Sequence, residues 1–250
     1  FNFFYKKNYK KSIELCKKLL IYKEFKNSIE DLLASNYKKN KNFLKELKIY
    51  KNKLKKDKSY LTYYNIGNLF SDIGRVQTAY YYFKKSLKLK NDNSTLWNIS
   101  LCALKLKNFK EGFKLYENRW NKKDNPGEKK FTQIPLLTSL DEIKNKKILI
   151  WDEQGLGDTL QFSRFVIDLA FYSKNITFVV NKKLSKILKK LNNHISVTDY
   201  DNLRLQNFDY QLPLFSLPKL LKVNSINQIN YYKLSLPILN DFQIELKGEF

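Results

Sequence analysis

The chain has little of what metal and redox chemistries draw on. Among 250 residues there are two cysteines, one histidine and no methionine. Cys16 and Cys102 lie far apart on expected helices and have no C-x-x-C partner, which excludes a cysteine zinc motif or a dithiol pair. Small buried apolar residue is their expected role, and a reducing compartment fits them. His194 stands in an Asn-Asn-His turn before a strand and reads as a surface residue, not a ligand or base. Apolar runs are short; Lys147–Trp151, with its polar flanks, falls far below the ~20 residues of a membrane span. No transmembrane segment is expected, and no signal peptide is visible. A chain without methionine that opens at Phe1 reads as a fragment, with sequence missing at its N-terminus.

Arginine is also scarce. The formal charge is +23 from 47 basic residues, yet only Arg75, Arg119, Arg164 and Arg204 are arginine. A basic chain invites a nucleic-acid reading. Base and phosphate recognition, however, favours the forked guanidinium, and the lysines here are spread almost evenly. With the excess of Asn, Ile, Tyr and Phe, this looks like compositional bias rather than a basic groove. The reading is therefore against nucleic acid, and for general attraction to anionic partners, including membrane head groups through peripheral association.

What is present divides into two halves, as the length suggests. In Tyr60–Asp92, Tyr63, Ile66, Gly67 and Phe70 follow the i, i+3, i+4, i+7 spacing of a buried helical face. Ala79, Phe83 and Leu87 mark a second helix, and Gly74 sits where a turn needs positive φ. One of Tyr80, Tyr81 and Tyr82 is expected to face the core. Thirty-three positions on, Ser100, Ala103, Gly112 and Tyr116 stand where Gly67, Phe70, Ala79 and Phe83 stood. Asn8–Ile13 and Asn42–Lys55 look like second helices of more degenerate units. The spacing resembles the tetratricopeptide repeat, a helix–turn–helix unit of about 34 residues. That resemblance implies an all-α repeat array over residues 1–120 whose groove takes a protein or peptide partner.

Residues 121–146 lose periodicity and carry Pro126-Gly127 and Pro135, so they read as a linker. Just before them, Phe109–Trp120 ends in Tyr-Glu-x-Arg-Trp. This ending resembles the last repeat of bacterial proteins in which such an array runs into a glycosyltransferase domain.

Residues 147–250 read as α/β. An apolar run at Lys147–Trp151 and further strands at Ile176–Val180 and Ile195–Asp199 alternate with helical stretches at about 160–170 and Lys183–Leu191, which predicts a parallel, doubly wound sheet. Phe208–Leu214 is an expected fourth strand. The first strand is followed by Glu153, Gln154, Gly155, Leu156, Gly157, Asp158 and Thr159, a glycine loop entering a helix. Glycines admit a ligand to the backbone, and a helix start offers free N–H groups to an anion. The pattern is neither a Walker loop nor a dinucleotide fingerprint.

Trp151–Phe165, with Phe208-Asp209 and Pro213–Pro218, resembles the opening strand, loop and helix of heptosyltransferase-like enzymes of glycosyltransferase family nine. The resemblance implies a GT-B fold, with 147–250 as its Rossmann-like N-terminal half. It makes Asp158 the catalytic base and places Glu153, Gln154, Gly155, Gly157 and Thr159 around the substrate. It also implies inverting transfer from a nucleotide-sugar donor to a glycan or protein acceptor, with no metal and no other cofactor. The donor would be bound mainly by a second half beyond Phe250, so this segment alone is expected to be inactive. Pro135–Ser139 departs from the family's Pro-x-Trp-x-Gly stretch. Asp158 has a rival reading as a helix N-cap, and Arg164 one as a surface ion-pair partner. The expected location is cytoplasmic, or the inner face of the cytoplasmic membrane. The alternative function is a non-catalytic repeat scaffold.

Overall fold

A computed structural model describes residues 8–121, 128–141, 143–189, 191–205 and 207–230. The expected Pro126-Gly127 turn and the end of the 147–250 segment lie outside the described residues. The chain forms two compact units, dividing between Leu106 and Lys107.

The first unit is helical: α1 (Tyr9–Leu19), α2 (Lys26–Lys39), α3 (Phe43–Lys56), α4 (Tyr60–Asp72), α5 (Val76–Leu89) and α6 (Asn93–Lys105). Its starts are set by side-chain caps. Asn8, Asn42, Ser59 and Asp92 accept hydrogen bonds from the backbone N–H groups of Lys11, Lys45, Thr62 and Thr95. Turns within helix pairs close by a left-handed residue, Gly74 at φ 76° and Lys41 at φ 55°. At both, an N–H bonds back five residues, Asn42 to Tyr37 and Arg75 to Phe70 at 2.8 Å. Successive helices pack as neighbours along the chain. The core joins Ile13, Cys16, Leu33 and Tyr37, and separately Ala34, Tyr50, Ile66 and Leu69.

Several expectations shift by one face. On α4 the buried positions are Thr62, Ile66, Gly67 and Leu69, while Tyr63 and Phe70 are half-buried. None of Tyr80, Tyr81 and Tyr82 is buried; Phe83 takes the core position, and Tyr82 stacks on Phe70 at 5.6 Å. Both cysteines are buried, as expected, and burial pushes both thiols up.

The second unit starts with α7 (Phe109–Tyr116) and a 3-10 turn at Glu117–Asn121. A parallel sheet follows, built from β1 (Ile148–Trp151), β2 (Ile176–Val180), β3 (Ile195–Asp199) and β4 (Tyr210–Pro213). Between them lie α8 (Leu156–Leu169) and α9 (Lys182–Leu188), and α10 (Leu217–Leu220) follows β4. Strand order is β3-β2-β1-β4, all parallel, with Ile148 opposite both Ile176 and Tyr210. The chain steps outward from β1 on one side, then returns to β1's other side with β4. That reversal is a topological switch point, where loops diverge beyond the carboxyl ends of the strands. Every residue of β1 is buried, as a central parallel strand requires.

The stretch expected to be a linker contributes to this unit. Pro135 accepts from Gln211 N–H at 2.8 Å and Leu137 N–H donates to Gln211 at 2.9 Å, which pairs the segment with β4. Leu137 and Ile143 are buried. No helix among the described residues is long and apolar enough to cross a membrane.

Candidate functional site

The switch point is held together by a buried arginine. Arg119 donates through Nε to Glu153 Oε2 at 2.7 Å and through one terminal nitrogen to Glu153 Oε1 at 2.9 Å, a bidentate pair. Its other terminal nitrogen reaches Glu117 Oε1 at 2.8 Å and the Tyr116 carbonyl at 3.3 Å. Ser216 Oγ accepts from Arg119 at 2.9 Å and donates to Glu117. Glu153 Oε1 also accepts from Phe215 N–H at 2.9 Å. The loops after β1 and β4 are therefore pinned to each other and to the turn that ends α7. Burial pushes the Glu153 carboxyl up, and the Arg119 guanidinium and the Phe215 N–H oppose it. The Tyr-Glu-x-Arg-Trp motif supplies this network: Glu117 and Arg119 carry it, while Trp120 packs on Trp151 at 5.8 Å.

Aromatic rings complete the floor. Tyr116 stacks on Phe215 at 6.1 Å, Phe162 lies 4.3 Å from Phe215, and Phe113 meets Phe165 edge-on. The Tyr116 hydroxyl accepts from Gln154 Nε2 at 3.0 Å and lies close enough to Asp158 to feel its charge. Burial pushes that hydroxyl's pKa up.

The candidate residues fall into two groups. Gln154, Gly155, Gly157 and Asp158 are exposed on the loop and the first turn of α8. Glu153 and Thr159 are not presented to solvent. The Glu153 side chain is 4% exposed and paired with Arg119. Thr159 is fully buried, facing the protein from the helix's inner side. Asp158 is not the N-cap, since Gly155 holds that position and Asp158 falls in the first turn. Gly155 has φ −63°, and a β-carbon placed on Gly157 would meet nothing within 4 Å. Neither glycine is needed for local packing. Arg164 donates to the Gln161 carbonyl at 2.7 Å, and His194 is exposed.

A second cluster, which sequence reasoning missed, caps the other side of β1. Asp152 is buried; its carboxylate accepts from Asn181 N–H at 2.7 Å and from the Tyr200 hydroxyl. Lys130 donates to the same hydroxyl at 2.7 Å and lies 4.0 Å from the Tyr200 ring centre. Burial and the Asp152 carboxylate push the Tyr200 hydroxyl well above its ordinary range. No group of three or more His, Cys, Asp or Glu side chains that could hold a metal ion occurs among the described residues.

Chemically, this is an exposed carboxylate on a helix's first turn, beside a phenol and an amide, above a rigid ion-paired floor. It can accept a proton from a bound hydroxyl group and orient that hydroxyl. The sequence matches no known family and no curated protein.

Proposed function

We propose that residues 107–230 belong to the acceptor-side, Rossmann-like half of an inverting GT-B glycosyltransferase. Asp158 is its general base, and the preceding helices are tetratricopeptide-like repeats that bind a protein partner. One observation carries the reading: the exposed Asp158 carboxylate stands beyond β1 at the switch point, behind two glycines that local packing does not require. Asp158 would take the proton of an acceptor sugar or protein hydroxyl as that oxygen attacks the donor's anomeric carbon. Gln154 and Tyr116 would orient the acceptor, while Gly155 and Gly157 let it approach the backbone. The nucleotide-sugar is a co-substrate held mainly by a second half, and no metal is assigned. An acidic residue in the first turn also stabilises α8 by ~0.3–1 kcal/mol through the helix dipole. Asp158→Asn keeps the shape and removes the base. In the protein together with its donor-binding half, it should lower transfer by ~100-fold or more while acceptor affinity changes little. Transfer undiminished in Asp158→Asn would sink the assignment.

The second reading, a non-catalytic scaffold, has its own observation. In the helical unit, Leu15, Cys16, Leu19, Tyr22, Phe25 and Ile29 line an apolar cavity of about 240 Å³, and Tyr22 and Phe25 are exposed. Partner capture by the helical unit without any glycosyl transfer would favour this reading.

A further inference from the structure

The amino-terminal edge of the sheet, opposite the Asp158 loop, carries two aromatic side chains that the core does not use. At the end of α8, Phe171 is 76% exposed and Tyr172 54% exposed. They do not stand on a loose loop. Phe171 and Tyr172 N–H groups bond to Asp168 and Leu169, and Ser173 bonds to Leu169 and, through Oγ, to the Lys146 carbonyl at 3.3 Å. Ser173 itself is 4% exposed, so the turn is anchored from beneath while both rings are held outward.

The surroundings are basic. Phe171 and Tyr172 share an open cavity of about 630 Å³ with Lys144, Lys174, Asn192 and His194, all from loops that enter strands or follow α8. Lys144 and Lys174 are exposed, and neither forms an ion pair among the described residues. Of the carboxylates flanking it, Asp209 takes Lys146 Nζ and the Lys147 N–H, while Asp168 accepts from the neutral Asn230 amide at 2.7 Å. Among the described residues, the cavity's own lining carries Lys144 and Lys174 and no carboxylate, on a chain of formal charge +23.

We propose that this edge is a docking surface for an anionic lipid bilayer, with Phe171 and Tyr172 entering the interface and Lys144 and Lys174 meeting the head groups. Exposed aromatics ringed by cations suit an interface whose inner layer is apolar and whose outer layer is negative. Phe171 has no hydrogen-bonding edge with which to read a base, and the cations here are lysines, which suits diffuse charge better than forked recognition. The candidate site lies at the other end of the strands, so this surface is separate from it.

The test uses the whole chain with vesicles of phosphatidylcholine alone and of phosphatidylcholine mixed with phosphatidylglycerol. Co-sedimentation is expected only with the mixed vesicles, and to weaken with salt. Lys144→Gln with Lys174→Gln should lower partitioning roughly thirtyfold, about fivefold per lysine. Phe171→Ala with Tyr172→Ala should lower it roughly tenfold or more. In Phe171→Trp, mixed vesicles should shift the new emission to the blue and protect it from acrylamide. Circular dichroism checks that each variant is folded. Partitioning unchanged in both double variants would overturn the proposal, because other lysines would then carry the binding. So would emission already shielded without vesicles, because the chain itself would then cover the site. Loss of single-stranded oligonucleotide binding in the aromatic variant, with vesicle binding intact, would reassign the surface to nucleic acid.

Discussion

Glu46, Ala79 and Gly112 occupy the same place in three helices, each donating its N–H to the N-cap residue four positions back: Asn42, Arg75 and Asn108. The position is buried in all three. Two sequences put a small residue there, and the third puts a carboxyl group that is 2% exposed, with Oε2 in no hydrogen bond. Burial pushes Glu46 up to about 7, with Lys38 opposing the shift and Asp72 adding to it. The folded carboxyl holds its proton more tightly than the unfolded one. Its contribution to stability is thus fully present below 4.5 and is lost as pH rises through about 7. The loss is at most ~3 kcal/mol. Glu46→Ala should therefore stabilise the chain by ~2 kcal/mol at about pH 8 and do little at about pH 5. Glu46→Gln should flatten the same slope without changing size. Urea unfolding followed by helical circular dichroism at both pH values reads this directly; an unaltered pH slope in both variants would refute it. Nothing in the bare sequence marks Glu46 as buried, because a glutamate in a Lys-rich helix ordinarily points to water.

Helix pairing gives a sharper contrast. The α4–α5 pair was legible because its packing leaves a signature: small residues at Gly67 and Ala79, a glycine turn at Gly74 and a large ring at Phe83. In the folded pair, a β-carbon on Gly67 would lie 2.6 Å from Phe83 Cδ1 and Cε1, and Phe83 is 1% exposed. The ring cannot turn away, so Gly67→Ala should cost ~1–3 kcal/mol despite its better helix propensity. Adding Phe83→Leu should recover part of that loss, and thermal unfolding of the single and double variants measures the coupling. If Gly67→Ala were neutral or stabilising, the close approach would be refuted. Helix α2, by contrast, had no such signature. Its closing turn uses Lys41 at positive φ where the next pair uses Gly74, so the strongest punctuation was missing. The strands were easier at β1 and β2, which are nearly continuous apolar runs between polar turns, as doubly covered parallel strands must be, while the edge strand β3 carries Ser196, Thr198 and Asp199. At the candidate site, the loop was legible and the sorting of its residues was not. Only folding brings Arg119 and Phe215 against Glu153, from positions far away in sequence.

At the scale of the whole chain, the sequence and the fold draw the boundary in different places. Periodicity carries the helical array to Trp120, because α7 repeats the spacing of α3 and α5. Compactness divides the chain at Leu106/Lys107 instead, since α7 and its 3-10 turn belong to the sheet's unit. Phe113 and Tyr116 face Phe165 and Phe215, and Arg119 is the one cation paired to the buried Glu153 among the described residues. A fragment beginning at Lys107 keeps all of this. One beginning at Asn121 strips the guanidinium from a buried carboxylate, which costs ~3–5 kcal/mol for a pair of this kind, and removes three aromatic contacts as well, those of Phe113, Tyr116 and Trp120. That is a large share of the ~5–15 kcal/mol that holds a typical domain together. The longer fragment should unfold cooperatively in urea with the near-ultraviolet signal of a packed Trp120–Trp151 pair. The shorter one should be unfolded, or have a midpoint far lower. Glu153→Gln in the shorter fragment should restore part of the difference, because the orphaned charge is gone. Equal midpoints for the two fragments would mean that the arginine network is decoration on a sheet that stands without it, and that the boundary belongs after Trp120.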